Sequence, residues 1–255
     1  MRVDLNCDMG ESFGAWTLGS DAAMMAIITS ANIACGWHAG DPLVMERTVR
    51  LAREHGVGVG AHPGYPDLLG FGRRSMALSP AEAEAYVLYQ IGALAGIAQA
   101  NGARLVHVKP HGQLYNDATT NAPLAEAIAR AVVRLDPELI LVGLAGSLLV
   151  DAGRAVGLRV AEEAFADRVY EANGALRSRR LPGALIHDPG QAADQVLRMV
   201  RDGEVVAHDG TRVKLRADTI CMHGDGPTAP QIGAELRQRL EAAGVQIVPL
   251  ASLLA

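Results

Sequence analysis

Short apolar runs alternate along the chain with polar loops and longer segments of helical character. The apolar runs lie near residues 3–7, 31–35, 57–61, 104–108, 139–143, 158–162 and 219–222, and a shorter candidate, VQIVPL, lies at 245–250. Each run indicates a β-strand that is followed by a loop and a helix. Repeated strand–helix units predict parallel strands that are joined by right-handed crossovers.

Helix boundaries are marked by proline and glycine. A side-chain acceptor followed by proline suits the first helical turn, where backbone N–H groups lack partners. Helix starts of this kind are expected at Asp41-Pro42, Ser79-Pro80, Asp188-Pro189 and Thr228-Ala229-Pro230. Glu82 is placed to complete a capping box with Ser79. Left-handed glycine caps are expected at Gly56, Gly102, Gly157, Gly203 and Gly244.

Seven or eight such units without a linker-like stretch predict a single closed β/α barrel over residues 1–255. The segment 203–217 does not follow the strand–loop–helix pattern of the repeating units. Its Asp209-Gly210 pair lies between two alternating stretches and predicts a β-hairpin that is inserted before the last full unit.

Strand alternation predicts a polar barrel interior. Successive side chains of a strand face opposite sides. Val106 and Val108 are therefore expected to face the helices, and His107 and Lys109 to point inward. In the other strands, the inward set is expected to include Asp4, Asn6, Asp8, Asn32, Gly58, Gly60, His62, Thr219, Cys221 and His223. Many of these residues lie at the carboxyl ends of strands, where β/α-barrel chemistry takes place.

Composition narrows the function classes. The chain has 255 residues, 49% of them hydrophobic, and a formal charge of −5. The negative formal charge argues against nucleic acid as a partner, and the basic cluster RSRR at 177–180 is too short to follow a phosphate backbone. That cluster either coats a loop or binds one anion. No apolar stretch is long enough to cross a membrane. The start shows no signal peptide, and three separated cysteines indicate buried free thiols, so a reduced, cytoplasmic protein is expected.

Lys109 is one of only two lysines in the chain. One interpretation is a structural ion pair with Asp4 or Asp8, because buried lysines are rare without a partner. The other is a point charge or proton donor for an anionic substrate, or a desolvated base. Its position at the polar rim favours a functional role.

Four histidines follow strands at the same predicted rim, and several aspartates lie close to them in sequence. Together they predict a functional site. The histidines are His38, His62, His111 and His223. Such residues can bind a divalent ion, but no HExxH or HxH pair is present, so a transition metal stays an open question. Walker A, dinucleotide and GxSxG motifs are absent. In the segment FGRR at 71–74, the two arginines, Arg73 and Arg74, either bind an anion together or are both solvated.

Six segments together closely resemble the LamB/YcsF family, which is described as the A subunit of the bacterial ATP-dependent 5-oxoprolinase. They are DLNCDMGESFG, SANIACGWHAGDP, GAHPGYPDLLGFGRR, HVKPHGQLYN, EAFADRVYEANGALRSR-LPGALIHD and CMHGDGP, and they span residues 4–227. The resemblance implies an irregular seven-stranded β/α barrel, related to glycoside hydrolases and polysaccharide deacetylases. VQIVPL is then a marginal or incomplete eighth strand.

The resemblance also implies a reaction, in which 5-oxo-L-proline, ATP and two water molecules give L-glutamate, ADP and phosphate. It implies two further subunits, B and C; a homo-oligomer is compatible with it. We hypothesise that ATP phosphorylates the lactam oxygen, and that water attacks the resulting imidate-like phosphate. The expected catalytic residues are Asp8, Glu11, His38, His62, Lys109 and His111. Of these, Asp8 and Glu11 are expected to hold Mg²⁺ or to act as acid–base groups. The expected residues for binding substrate or nucleotide are Asn6, Asn32, Asp41, Asp67, Arg73, Arg74, Tyr115, Asn116, Asp167, Arg168, His223 and Asp225.

Two other functions are compatible with the sequence. The first is a metal-dependent hydrolase that acts on an amide or an acetylated sugar without ATP. The second is a non-catalytic subunit that binds oxoproline and delivers it to its partners.

Overall fold

A closed barrel of seven parallel strands forms the centre of the protein. The structure is a computed structural model, and it describes residues 1–222 and 229–255. The barrel strands are β1 (Arg2–Met9), β2 (Ser30–Ala34), β3 (Gly58–His62), β4 (Leu105–Val108), β5 (Ile140–Leu144), β6 (Arg159–Phe165) and β9 (Thr219–Met222). They pair in this order, and β9 pairs with β1 to close the sheet. The predicted seven-stranded barrel is therefore confirmed.

Three short strands lie outside the closed barrel. Strands β7 (Glu204–Val206) and β8 (Arg212–Lys214) form an antiparallel pair, which confirms the predicted hairpin insertion. Strand β10 (Gln246–Ile247) pairs in parallel with the start of β1 for two residues. The marginal eighth strand that was expected in VQIVPL is thus present as a short addition to the outside of the barrel.

Helices connect the strands and cover the sheet. They are α1 (Asp21–Met25), α2 (Pro42–Glu54), α3 (Pro80–Ala100), α4 (Gly112–Ala118), α5 (Ala122–Leu135), α6 (Leu148–Ala155), α7 (Pro189–Asp202), α8 (Ala229–Ala242) and α9 (Leu250–Leu253). No helix among the described residues is long and apolar enough to cross a lipid bilayer.

The predicted helix boundaries agree with the structure. Asp41 and Asp188 accept hydrogen bonds from the first backbone N–H groups of α2 and α7, and Ser79 forms a complete capping box with Glu82. The fourth expected start includes Thr228, which lies outside the described residues. All five predicted capping glycines have positive φ angles: Gly56, Gly102, Gly157, Gly203 and Gly244. The three cysteines are buried and unpaired, as expected.

A bulge in β4 changes one predicted orientation. Val59 pairs with Leu105, but the next residue, Gly60, pairs with His107, so Val106 is the extra residue in the ladder. Val108 joins the main core as expected. Val106, which was expected to share that face, instead packs on a separate small apolar cluster, whose buried members are Ile140, Val142, Ala161 and Leu250. A bulge breaks simple alternation because it inserts one residue into one strand.

Gly60 provides the space that His107 occupies inside the barrel. A Cβ atom at Gly60 would overlap the imidazole ring of His107, whereas a Cβ atom at Gly58 would approach no atom closer than 3.5 Å. We expect Gly60→Ala to lower the free energy of unfolding by about 3 kcal/mol, because overpacking a dense core forces neighbours to move. Gly58→Ala, in the same strand, is the matched control. Equal urea midpoints for the two variants would contradict this packing.

Candidate functional site

The site lies at the carboxyl ends of the barrel strands. Because the strands are parallel, residues that end each strand, or follow it, meet at one rim. A cavity of about 830 Å³ opens there. The predicted site residues that line it are Asp8, Glu11, His62, Arg73, Arg74, Lys109, His111, Tyr115, Asn116 and Arg168. Other lining residues include Phe165, Ser178, Arg179 and Arg180.

Lys109 is held in a buried ion-pair network at the floor of the cavity. Only 3% of the residue is exposed, and its ammonium lies 3.0 Å from Asp8 Oδ1 and 2.9 Å from Glu163 Oε1. Asn6 Oδ1 and Cys221 Sγ accept hydrogen bonds from the same ammonium at 3.2 and 3.1 Å. The structure therefore realises the ion pair with Asp8 that the sequence suggested.

The surroundings of Lys109 keep it charged. Burial alone would lower its pKa, but the charges of Asp8 and Glu163 outweigh burial and hold the pKa well above its usual value. This environment disfavours the interpretation of Lys109 as a desolvated base. Asp4, the alternative partner, instead accepts hydrogen bonds from three hydroxyl groups, those of Thr29, Ser30 and Thr219.

Glu163 is a central site residue that the sequence analysis missed. It is fully buried, and its carboxylate accepts hydrogen bonds from Asn6 Nδ2 at 3.0 Å and from the Tyr115 hydroxyl at 2.6 Å. The expected strand ended at residue 162, whereas β6 continues to Phe165. The alternation of Ala161, Glu163 and Phe165 was the available signal, because it places Glu163 on the inward face.

Three histidine rings pack together beside the lysine network. The rings of His38 and His111 stack in parallel with centroids 3.6 Å apart, and the ring of His62 lies perpendicular to both. His38 Nε2 and His111 Nδ1 lie 3.3 and 3.4 Å from Glu11 Oε1. The ligand atoms of these four residues all lie within 4.8 Å of one another.

Backbone carbonyls fix the tautomers of two of these histidines. His62 Nδ1 lies 2.7 Å from the Lys109 carbonyl oxygen, and His111 Nε2 lies 2.9 Å from the Phe71 carbonyl oxygen. A carbonyl oxygen can only accept a hydrogen bond, so both of these ring nitrogens carry protons. Phe71 holds its position with a left-handed φ of 54°, a conformation that is uncommon for residues other than glycine.

Burial keeps the imidazoles of His38 and His111 neutral at pH 7. It lowers the pKa of each well below the usual value, and the neighbouring histidines add to this effect. His107 lies deeper in the barrel, where its Nε2 is 2.8 Å from Asn32 Oδ1. Burial, with a smaller contribution from Lys109, lowers the pKa of His107 to about 3.

The depressed pKa of His107 predicts a loss of stability in acid. Between pH 6.5 and about 3 the unfolded chain binds a proton at His107 that the folded protein does not. The free energy of unfolding therefore falls as the pH drops through this window, by up to about 1.4 kcal/mol per pH unit from this group. We expect His107→Gln to have a shallower slope in urea unfolding between pH 6.5 and 4.5. Parallel curves for the two proteins would contradict this.

Arginines form one wall of the cavity. Arg73 lies over the Phe71 ring, 4.9 Å from its centroid, while Arg74 pairs with Asp67. Arg168 is 6% exposed, and its Nε finds no hydrogen-bond partner among the described residues. Burial, followed by the charge of Arg179, lowers the pKa of Arg168 to about 10, so Arg168 remains a cation at pH 7. Residues 178–180, from the RSRR cluster, complete this wall.

Several predicted site residues serve the structure around the cavity and do not line it. Asp41 caps α2 and also accepts a hydrogen bond from the Gly14 N–H. Asp67 caps the short turn at 68–70 and binds Arg74. Asn6, Asn32 and His38 lie in the buried layer beneath the cavity, and Asp167 is buried beside Arg168. His223 and Asp225 lie outside the described residues.

Fold and site together define a β/α-barrel protein with a polar, enzyme-like cavity at the carboxyl rim. The sequence profile described as "LamB/YcsF family" matches residues 3–255. The chain belongs to the LamB/YcsF family.

The chain is similar in sequence to two known proteins and similar in fold to a third. The 5-oxoprolinase A subunit of Chloroflexus aggregans is 60% identical over 97% of this chain and 98% of its own length. The crystal structure of the lactam utilization protein from Thermus thermophilus is 52% identical, covers 97% of this chain and 99% of its own, and superposes with a TM-score of 0.92. A deacetylase called T48 superposes with a TM-score of 0.51 at 16% identity, covering 99% of this chain and 89% of its own. It shares the fold alone.

Proposed function

We propose that this chain is one subunit of a 5-oxoprolinase and takes part in the ATP-dependent opening of 5-oxo-L-proline to L-glutamate. The observation that carries the proposal is 60% sequence identity, over 97% of this chain, to a protein of that name. The cavity supports it, because its wall and its floor carry different charged groups. One wall carries arginines, and the floor carries carboxylates, imidazoles and one ammonium.

The proposed substrate matches this division of charge. 5-Oxo-L-proline carries a carboxylate and a neutral lactam. Arg168 is buried, cationic and has an unused Nε donor, so it suits the carboxylate. Guanidinium groups bind carboxylates through charge-assisted hydrogen bonds. The lactam ring would then lie towards His62 and His111 on the floor.

A lactam is a poor electrophile, so its hydrolysis at neutral pH needs activation. In the proposed sequence, the γ-phosphoryl group of ATP is transferred to the lactam oxygen, and ADP leaves. Water then adds to the activated carbon, and the ring C–N bond breaks with a proton delivered to nitrogen, which leaves an acyl phosphate on the open chain. A second water molecule hydrolyses this acyl phosphate, so that L-glutamate and phosphate are released. Arg73 and Arg179 are placed to neutralise phosphate charge. His111 is neutral and lines the cavity, so it suits proton transfer. Mg²⁺ would accompany the nucleotide.

The complete reaction is proposed to require two further subunits. The relatives are named as the A subunit of a 5-oxoprolinase, which supports an assembly of several chains. The proposal is that this chain supplies a substrate cavity and that the B and C subunits complete the ATP-dependent enzyme.

One assay tests the proposal. ADP and glutamate formation from 5-oxo-L-proline are measured for this chain alone and with both partner subunits, with and without ATP. Equal amounts of ADP and glutamate, formed only with ATP, oxoproline and the partners, are expected. Glutamate formation without ATP would favour a simple amide hydrolase. Oxoproline binding with turnover that does not depend on the cavity residues of this chain would favour a delivery subunit.

A further inference from the structure

Two imidazole rings turn one nitrogen each towards the other at the floor of the cavity. His62 Nδ1 and His111 Nε2 carry protons, because each faces a backbone carbonyl oxygen. The second nitrogens of the two rings, His62 Nε2 and His111 Nδ1, are therefore the ones turned towards the site. These two nitrogens lie only 3.0 Å apart. Two ring nitrogens at this distance can share a proton or bind the same metal ion.

A carboxylate oxygen lies beside each of these two nitrogens. Asp8 Oδ2 lies 3.3 Å from His62 Nε2, and Glu11 Oε1 lies 3.4 Å from His111 Nδ1. Lys109 pairs with Asp8 and Glu163, and Glu11 lies beside His38 and His111. Carboxylate oxygens and imidazole nitrogens that lie this close together are suited to a divalent cation.

We propose that a divalent transition-metal ion, such as Zn²⁺, binds between these side chains. Its ligand atoms are Asp8 Oδ2, Glu11 Oε1, His62 Nε2 and His111 Nδ1. This proposal goes beyond oxoproline hydrolysis and does not depend on it.

The distances and the surrounding hydrogen bonds suit such an ion. Bonds of 2.0–2.1 Å in a tetrahedral site place neighbouring ligand atoms about 3.3 Å apart, and three of the six separations in this set are 3.0, 3.3 and 3.4 Å. The ligand atoms of Glu11, His62 and His111 all lie within 4.8 Å of one another. Metal-binding histidines usually donate their second N–H to a carbonyl or carboxylate, as His62 and His111 do here. Two imidazole ligands favour Zn²⁺ and similar ions over Mg²⁺.

His38 contributes indirectly through Glu11. Its Nδ1 has no hydrogen-bond partner among the described residues, whereas its Nε2 lies 3.3 Å from Glu11 Oε1. The proton of the neutral ring therefore belongs on Nε2, where it is donated to the carboxylate. This leaves His38 outside the ligand set and orients Glu11 towards the ion.

Direct metal binding tests the proposal without any assay of turnover. The full chain is dialysed against EDTA and titrated with Zn²⁺ in competition with a chromophoric chelator, and Co²⁺ is added separately to record the visible absorption of a four-coordinate site. One Zn²⁺ per chain is expected. Glu11→Gln and His62→Ala should each weaken binding by at least about 100-fold, more than the loss of an outer hydrogen bond usually causes. The control His55→Ala, at an exposed position at the end of α2, should bind like the wild type.

Three outcomes would overturn the proposal. They are the absence of stoichiometric Zn²⁺ binding, equal affinities for the wild type and both site variants, and a Co²⁺ spectrum of the hydrated ion. Circular dichroism in EDTA shows whether each variant is folded. If His62→Ala does not fold, Glu11→Gln still decides the result, because glutamine preserves the shape of the side chain.

Discussion

Replacing Lys109 with methionine is expected to lower the free energy of unfolding by about 3–5 kcal/mol, because it leaves buried carboxylates without their cation. Glu163 is fully buried and lies 2.9 Å from the ammonium that would be lost, and Asp8 lies 3.0 Å from it. A typical domain has a stability of only about 5–15 kcal/mol, so this variant would be close to unfolding. The measurement is equilibrium urea unfolding at pH 7.

The only other lysine of the chain provides a matched control. Lys214 lies on the hairpin with its side chain 78% exposed and pairs with Glu204 at 3.2 Å. Lys214→Met should change the stability by less than about 1 kcal/mol, as is usual for exposed pairs. In the double variant Lys109→Met/Glu163→Gln, the loss should be at least about 1 kcal/mol smaller than the sum of the single losses. Additive losses would contradict direct coupling between the two residues.

Replacing His111 with alanine is expected to reduce oxoproline-dependent glutamate formation by about 10²- to 10⁴-fold in the complete enzyme, the range for loss of a positioned acid–base group. His111 lines the cavity, and the Phe71 carbonyl holds its tautomer so that Nδ1 can accept a proton in the metal-free protein or bind the proposed cation. The measurement is the initial rate of glutamate formation with all three subunits and saturating ATP.

A stable but inactive variant distinguishes this role from a structural one. His55→Ala, which removes an exposed histidine, should retain the wild-type rate. The urea midpoint of His111→Ala shows whether the protein remains folded. A folded His111→Ala protein with the wild-type rate would rule out a catalytic function for this imidazole.

The sequence predicted the barrel because its local signals agree with one another. Asp4, Asn6 and Asp8 alternate with apolar residues in β1, and this alternation placed them correctly on the inward face. Proline and glycine at helix boundaries then fixed the connections. These signals depend only on residues that are close in sequence, so they can be recognised without the tertiary structure.

Three features could not be obtained in the same way. The bulge at Val106 depends on pairing with β3 and leaves no mark in the local pattern. Glu163 was missed because strand ends are poorly defined by hydropathy, and β6 is longer than its apolar run. Asp41 and Asp67 were expected at the binding site, but aspartate also caps helices and turns, and both residues cap in the structure. Residue type alone does not separate these two roles.

The central claim is that the arginine wall at the barrel rim binds the carboxylate of 5-oxo-L-proline, and its most direct test is calorimetric titration of this compound into the purified chain. We expect saturable binding to the wild type and at least about a 10-fold weaker affinity for Arg168→Gln, since a hydrogen bond to a charged group contributes about 1.5–3 kcal/mol. Arg201→Gln, at an exposed position in the last turn of α7, should bind like the wild type. No binding to the wild type, or equal affinities for all three proteins, would contradict the claim.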